Sequence, residues 1–78
     1  MKVLLYGRLA DAIDREVDVD APGGCSVAEI RQRLAASHPG AAGPLRVARA
    51  AIDSALVGDD HIPAVFDQVE FLPPVSGG

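Results

Sequence analysis

The residues best suited to chemistry stand at the end of the chain, in the sequence PPVSGG (73–78). Proline fixes φ and has no backbone N–H, so Pro73 and Pro74 predict a stiff, extended segment that cannot continue a sheet. The two final glycines carry no Cβ, so the backbone there could pass through a narrow channel on another protein. We therefore expect a tail over residues 73–78, reaching roughly 20 Å from a domain formed by residues 1–72.

The distinctive reactive group of this tail is the terminal carboxylate of Gly78. It is ionised at neutral pH and is a poor electrophile. It becomes reactive once another enzyme converts it to an acyl anhydride such as an acyl-adenylate, which a nucleophile can attack. The activated end would then be threaded into an active site by the rest of the tail, namely Pro73, Pro74, Val75, Ser76 and Gly77. The plain alternative is a frayed terminus without covalent chemistry, as chain ends commonly are.

Other side chains that could do chemistry are predicted to have structural roles. Cys25 is the only cysteine, so it has no disulfide partner within the chain, and no base stands at a diagnostic spacing from it. His38 and His61 lie in predicted breaks without a metal-ligand pattern, so no metal site is expected. Asp59 and Asp60 indicate a solvated turn rather than an acid/base pair.

Composition narrows the class of partner. The 78 residues suffice for one domain, and the net charge is -4 with no Trp, one Tyr and two Phe. A nucleic-acid partner is not expected, because binding phosphates needs clustered basic side chains and single strands need aromatic platforms. A protein with a basic surface is a better electrostatic match. No apolar run approaches the roughly 20 residues that span a bilayer, so we expect a cytosolic protein without a membrane partner.

One helix and five strands are predicted to position the tail. The helix begins at Val27, after a capping box of Ser26 and Glu29, and ends at His38. Its apolar side chains face the sheet, whereas Arg31 and its neighbours are expected to face water. The strands, each bounded by turn residues, are residues 2–6, 15–21, 47–52, 55–57 and 68–72. The order β-β-α-β-β-β predicts an α+β roll, with one main helix on a mixed sheet of four to five strands.

The connections carry little regular structure in this prediction. Residues 7–14 form a loop or a single helical turn, residues 39–46 a loop with one short turn at most, and residues 58–67 an irregular segment. A tight turn at Asp53 and Ser54 joins the two strands that flank it.

Side chains alternate between the two faces of each strand. The residues predicted to face the helix are Val3, Leu5, Ala50, Ile52, Val69 and Phe71. The residues predicted for the outer face include the charged Lys2 and Glu70 and an apolar cluster of Leu4, Tyr6, Leu56 and Leu72. Because a sheet with one open face is usually polar there, this cluster indicates a partner-binding patch, although single exposed apolar residues are ordinary.

The ending FLPPVSGG resembles the C-terminus of the molybdopterin synthase small subunit, a family of ubiquitin-like sulfur carriers. The likeness extends to KVLLYGRLADAI, which resembles the first strand and loop of that family. It also includes SVAEIRQRLAASHP, which resembles its single helix, and RAAIDSALV, which resembles its central hairpin.

This resemblance implies a β-grasp fold and a non-catalytic subunit with no permanently bound cofactor. Gly78 would be adenylated by an E1-like adenylyltransferase that uses ATP, and a sulfur donor system would convert it to a thiocarboxylate. The tail would then enter the large, catalytic subunit of molybdopterin synthase and deliver sulfur to precursor Z (cyclic pyranopterin monophosphate), forming the dithiolene of molybdopterin. Two small and two large subunits would form a heterotetramer, with Tyr6, Leu56 and Leu72 at the partner interface.

The chain departs from the family pattern at two places. Asp53 stands where the family commonly has Asn, and Phe66 stands where a Gly is usual, so the loop before the last strand is expected to have a different shape. Other classes also remain open: a sulfur carrier for thiamine or for a sulfur-containing amino acid, a ubiquitin-like modifier joined through Gly78 to lysines, and a binding module with an inert tail.

Overall fold

A computed structural model describes residues 1–21 and 23–74 and places five strands and three α-helices within them. The strands are β1 (Lys2–Leu5), β2 (Glu16–Asp18), β3 (Arg49–Ile52), β4 (Ala55–Val57) and β5 (Val69–Leu72). The helices are α1 (Arg8–Ala12), α2 (Val27–Ser37) and α3 (Ala42–Val47), and a 3₁₀ turn (Pro39–Ala41) lies between the last two. This order confirms the predicted succession of strands around one main helix.

The strands form one mixed sheet in the order β2-β1-β5-β3-β4. β1 and β5 run parallel, with Val3 opposite Val69 and Leu5 opposite Phe71, whereas the other neighbouring strands are antiparallel. β2 is an edge strand, as its alternating acidic pattern predicts. β5, the last strand in the sequence, lies in the middle of the sheet. The chain therefore leaves from the centre of the sheet rather than from an edge.

The hydrophobic core lies between the sheet and the helices. The sheet contributes Val3, Leu5, Ala50, Val69 and Phe71, and the helices contribute Leu9, Val27, Ile30, Leu34 and Leu45. Ile52 is partly buried against this cluster. The predicted inner face is therefore confirmed, and removal of these apolar side chains from water is the main force that holds the helices on the sheet.

The start of α2 has the predicted capping box. The backbone N–H of Glu29 donates to Oγ of Ser26 at 3.3 Å, and the N–H of Ser26 donates to Oε1 of Glu29 at 3.4 Å. These bonds satisfy donors that a helix start leaves without partners. At the other end, the N–H of His38 donates to the carbonyl of Leu34 at 2.8 Å, and the helix ends there as predicted.

The segment after α2 is more helical than predicted. Pro39 opens the 3₁₀ turn, and α3 follows and extends to Val47, which the sequence pattern assigns to a strand. The physical reason is packing: Ala41, Leu45 and Ala48 are buried at spacings of four and three, which forms an apolar stripe on one side of the segment.

The guanidinium of Arg31 joins three parts of the fold. It donates to the carbonyl oxygens of Leu45 and Ala48, pairs with the carboxylate of Asp59 at 2.8 Å, and lies 5.1 Å from the ring centre of Phe71. The Arg31 side chain is 15% exposed, so the expectation that it faces water is wrong. A charge pattern does not reveal that the backbone carbonyls at the C-terminal end of α3 need a donor.

The β3–β4 hairpin has the predicted two-residue turn. Ile52 lies opposite Ala55, and between them Asp53 and Ser54 have φ values of 52° and 67°. A type I′ hairpin turn needs positive φ at both central positions, and Asn-Gly and Asp-Gly are the preferred pairs. Asp53 therefore suits its position, whereas Ser54 stands where glycine is usual and disfavours the backbone conformation.

Candidate functional site at the root of the tail

The tail leaves the sheet at a fixed point beside the end of β1. Leu72, the last residue of β5, lies opposite Arg49 of β3. On the other side, the N–H of Tyr6 donates to the carbonyl of Phe71 at 3.3 Å. Pro73 follows without an N–H to offer, which ends the sheet pairing. The two sheet neighbours therefore hold the residue before the tail from both sides.

Gly7 shapes the place where the tail begins. Its φ is 62° and its ψ is -133°, a combination that is open almost only to glycine. A Cβ built on Gly7 would lie 3.2 Å from Cγ of Pro73, which is tighter than ordinary van der Waals contact. The absence of a side chain at Gly7 thus lets the loop after β1 approach the proline ring closely.

A groove of about 630 Å³ lies beside this contact. Its walls include Tyr6, Pro44 and Val47, together with Pro73 and Pro74. Arg8 and Leu9 also line it, so the groove is largely apolar with one cationic side chain. Val47 and Pro44 belong to α3, which the sequence pattern treats mostly as a loop, so their place in this groove is not foreseen. The spacing of four and three residues between the apolar Ala41, Leu45 and Ala48 is the sequence signal that could have indicated a helix here.

Of the predicted interface residues, Leu56 and Leu72 lie on the outer face of the sheet by their strand register. Tyr6 directly follows β1 and lines the groove together with Pro44 and Val47 of α3. Leu5 lies opposite Phe71, so the next residues along the two chains, Tyr6 and Leu72, are near each other. Leu56 lies opposite Ala51 of β3 and is thus two strands from β5. Leu56 is 59% exposed, Tyr6 is exposed and Leu72 is half-buried. Tyr6 and Leu72 both lie beside the tail root, the point at which Pro73 leaves the sheet. Leu56 lies farther away, on the outer face of β4.

The reactive end itself falls outside the described residues. Val75, Ser76, Gly77 and Gly78 are not described, whereas Pro73 and Pro74 are exposed. The roles expected of Gly78 as the activated residue and of the others as the threading segment stay predictions.

The other candidate residues do not form a second chemical site. Cys25 is buried in the core cluster, His38 ends α2, and His61 is exposed in the β4–β5 loop. Within residues 1–21 and 23–74, no group of three or more His, Cys, Asp or Glu side chains could hold a metal ion. In the same part of the chain, every helix is too short or too polar to cross a membrane.

Comparison with solved structures identifies the fold. SAMP1 from Haloferax volcanii is 27% identical with a TM-score of 0.80, and the alignment covers 100% of this chain and 98% of that one. H. volcanii small archaeal modifier protein 1 is 24% identical with a TM-score of 0.81, covering 96% and 97%. The complex of subunits 1 and 2 of molybdopterin-converting factor from Helicobacter pylori 26695 contains a chain that is 22% identical, with a TM-score of 0.68 and coverage of 99% and 96%. The fold is therefore the predicted ubiquitin-like β-grasp fold.

Sequence comparison gives the family. No curated protein sequence matched the chain significantly. The model of the ThiS family matches residues 3–78, which includes the two final glycines. This chain therefore belongs to the ThiS family of ubiquitin-like sulfur carriers.

Proposed function

We propose that the chain is the sulfur-carrying small subunit of a molybdopterin synthase in molybdenum cofactor biosynthesis. Carriers of this family are non-catalytic partners, so the sulfur transfer would take place in a catalytic large subunit. The main observation that supports the proposal is the match to the ThiS family model, which extends to Gly78. The PPVSGG spacer, which resembles that of the molybdopterin synthase small subunit, favours this pathway, and the structural likeness to molybdopterin-converting factor is consistent with it.

The proposed chemistry takes place at the carboxyl carbon of Gly78. An E1-like enzyme joins the carboxylate to the AMP part of ATP and releases pyrophosphate, which gives an acyl-adenylate. A donor then supplies sulfur at the oxidation level of sulfide. A C–S bond forms, AMP leaves, and the product is a thiocarboxylate. In the large subunit this sulfur passes to precursor Z, and water restores the carboxylate of Gly78.

The described residues support this chemistry by placing the start of the tail. The contact of Gly7 with Pro73 and the pairing of β5 in the middle of the sheet define where the tail leaves the domain. A defined origin reduces the volume that the reactive end searches before it reaches a partner's active site. Tyr6 and Leu72, beside this origin, offer apolar surface on which the same partner could dock.

The direct test is the intact mass of the chain after incubation with its activating enzyme, ATP and the sulfur donor. We expect a gain of about 16 Da, since one oxygen is replaced by sulfur. With the large subunit and precursor Z, the loaded chain should yield molybdopterin. Deletion of Gly78 should abolish both results and leave the fold unchanged, whereas Gly40→Ala, at a site where the added methyl group meets nothing within 4 Å, should retain both. Sulfur transfer by the chain without Gly78 would refute the proposal.

Growth of a deletion strain tests the pathway. Loss of the gene should abolish growth that depends on nitrate reduction, because nitrate reductase needs the molybdenum cofactor, and should leave growth without thiamine unchanged. The reverse result would assign the carrier to thiamine synthesis instead.

A second candidate function is covalent modification of proteins through Gly78. The supporting observation is the likeness to SAMP1 over the full length of both chains at 27% identity. The activation step would be the same, but a lysine amine would attack the acyl-adenylate and form an isopeptide bond. Blots for a tagged chain would then show higher-mass conjugates that disappear when Gly78 is deleted. A thiocarboxylate without such conjugates would favour the carrier function.

A further inference from the structure

A second exposed apolar surface lies in the β4–β5 loop. Ile62, Val65 and Phe66 are all largely exposed, with Val65 at 69% and Phe66 at 75%. Phe66 has the highest exposed fraction among the large hydrophobic side chains of the described residues. Exposed apolar groups in one short segment often mark an interaction site.

Val65 and Phe66 are held at the tip of a tight turn, which we name the apolar turn (residues 64–67). The N–H of Asp67 donates to the carbonyl of Ala64 at 3.0 Å, and the N–H of Ala64 donates to Oδ2 of Asp67 at 2.9 Å. Turn tips usually carry Gly, Pro, Asn, Asp or Ser. Here the reciprocal bonds of Asp67 close the turn, and its two central positions present large apolar side chains.

The loop that carries the apolar turn is anchored to the domain. The carbonyls of Asp59 and His61 accept from the backbone N–H groups of Ala28 and Val27, each at 2.9 Å. Pro63 is buried, and Cγ1 of Val65 would lie 3.4 Å from a Cβ at Gly23. A surface ordered before binding loses less conformational entropy when a partner docks. The apolar turn therefore has the preorganisation of a docking element.

The apolar turn and the tail root lie at opposite ends of β5. The loop enters β5 at Val69 and the tail leaves it after Leu72, a strand of 4 residues that spans about 13 Å. At the tail end of β5, Gly7 lies against Pro73 and the N–H of Tyr6 donates to the carbonyl of Phe71. A protein bound to the apolar turn would thus leave the tail root accessible.

The charged residues of the loop around the apolar turn indicate which kind of partner could bind there. The same loop contains Asp59, Asp60 and Asp67, and Arg31, the basic side chain that reaches it, already pairs with Asp59. This acidic surrounding is complementary to basic side chains and repels nucleic acid and anionic lipid. A second copy would bring the same acidic loop.

We propose that Val65 and Phe66 form a second docking surface, which inserts into an apolar pocket with a basic rim on a partner protein while the tail end remains free. This inference goes beyond the proposed function and holds whichever reaction Gly78 undergoes.

The test begins with the full chain carrying Phe66→p-benzoylphenylalanine, irradiated in its host cells, with the same photoreactive residue at exposed Ala36 as control. The protein cross-linked from position 66 but not from position 36 is then purified, and its affinity for the unmodified chain is measured. Phe66→Ser should weaken this binding by more than about tenfold, as for an interface hot spot. Tyr6→Ser, at the tail end, should change it little, and added salt should weaken it. Since Phe66 is exposed, the variant should unfold at the same temperature as the original chain.

Four results would overturn the proposal: no cross-linked protein at position 66, cross-links only between copies of the chain, equal affinity of the Phe66→Ser variant, or affinity that does not respond to salt. Binding to phosphatidylcholine and phosphatidylserine vesicles that Phe66→Ser removes would assign the surface to a membrane instead and would also overturn it. None of these results depends on sulfur loading, so a failure here is distinct from a failure of the proposed function.

Discussion

Gly7 lies directly against Pro73, so that a Cβ on the glycine would come within 3.2 Å of Cγ of the proline. Gly7 follows β1, and Pro73 follows β5, the parallel neighbour of β1. The ends of two parallel strands point the same way, and here the loop after one strand supports the tail after the other. The position of the tail root thus depends on a glycine far from it in sequence.

Gly7→Ala should destabilise the domain and displace the tail root. Alanine disfavours the backbone conformation of Gly7, and strain of this kind costs about 1–3 kcal/mol. Urea denaturation would measure the loss, and the rate of thiocarboxylate formation should fall as well because the tail starts from a shifted position. Gly40→Ala is the matched control, since its added methyl group meets nothing within 4 Å. Equal stability of the two variants would contradict the claim that alanine is strained in the backbone conformation of Gly7.

Ser54→Gly should stabilise the protein. Ser54 has a φ of 67° in the β3–β4 turn, and glycine adopts that conformation without a steric penalty. The expected gain is about 0.5–1 kcal/mol, reduced in part by the greater freedom of glycine in the unfolded chain. Thermal unfolding would measure it, with Ser37→Gly in α2 as the control that should lose stability. A lower melting temperature for Ser54→Gly would contradict the strained turn.

Arg31→Met should lower the free energy of unfolding by about 2–4 kcal/mol. Methionine retains the apolar stem but removes the donors to the carbonyls of Leu45 and Ala48 and leaves Asp59 without its partner. Arg33→Met is the control, because Arg33 is exposed and donates one hydrogen bond, to the carbonyl of Asp20. Chemical denaturation of both variants compares the two arginines on the same helix. A loss at Arg31 no larger than that at Arg33 would refute the bridging role.

The features that could be predicted from the sequence are those encoded locally. The Ser26 and Glu29 capping box, the stop at His38 and the alternation in β1 and β5 each depend on residues a few positions apart. For this reason the sequence predicts α2, the five strands and the inner face of the sheet correctly, although β2 and β3 are shorter than the predicted ranges 15–21 and 47–52. The turn at Asp53 and Ser54 was also found, since its breakers stand between two apolar runs.

What could not be predicted depends on tertiary contacts. The apolar stripe of the segment around α3 is short, and Gly43 and Pro44 resemble loop residues until the segment packs. The inward position of Arg31 depends on carbonyls 14 and 17 residues away. The groove at the tail root lies between α3, residues 6–9 and the two prolines of the tail, so it has no signature in any one segment. The β-grasp topology came from the family resemblance rather than from periodicity.

Leu56→Asp tests whether the outer face of the sheet binds the partner that receives the tail. Because Leu56 is 59% exposed, the change should affect stability by less than about 0.5 kcal/mol. A carboxylate in an apolar contact would be buried without a partner, so binding to the large subunit should weaken by more than about tenfold. Gln32→Glu adds the same charge on the exposed side of α2, on the opposite side of the sheet, and should leave the affinity unchanged. Titration calorimetry with the large subunit compares both variants with the original chain. If Leu56→Asp binds as tightly as Gln32→Glu, the interface is confined to the tail root, around Tyr6 and Leu72.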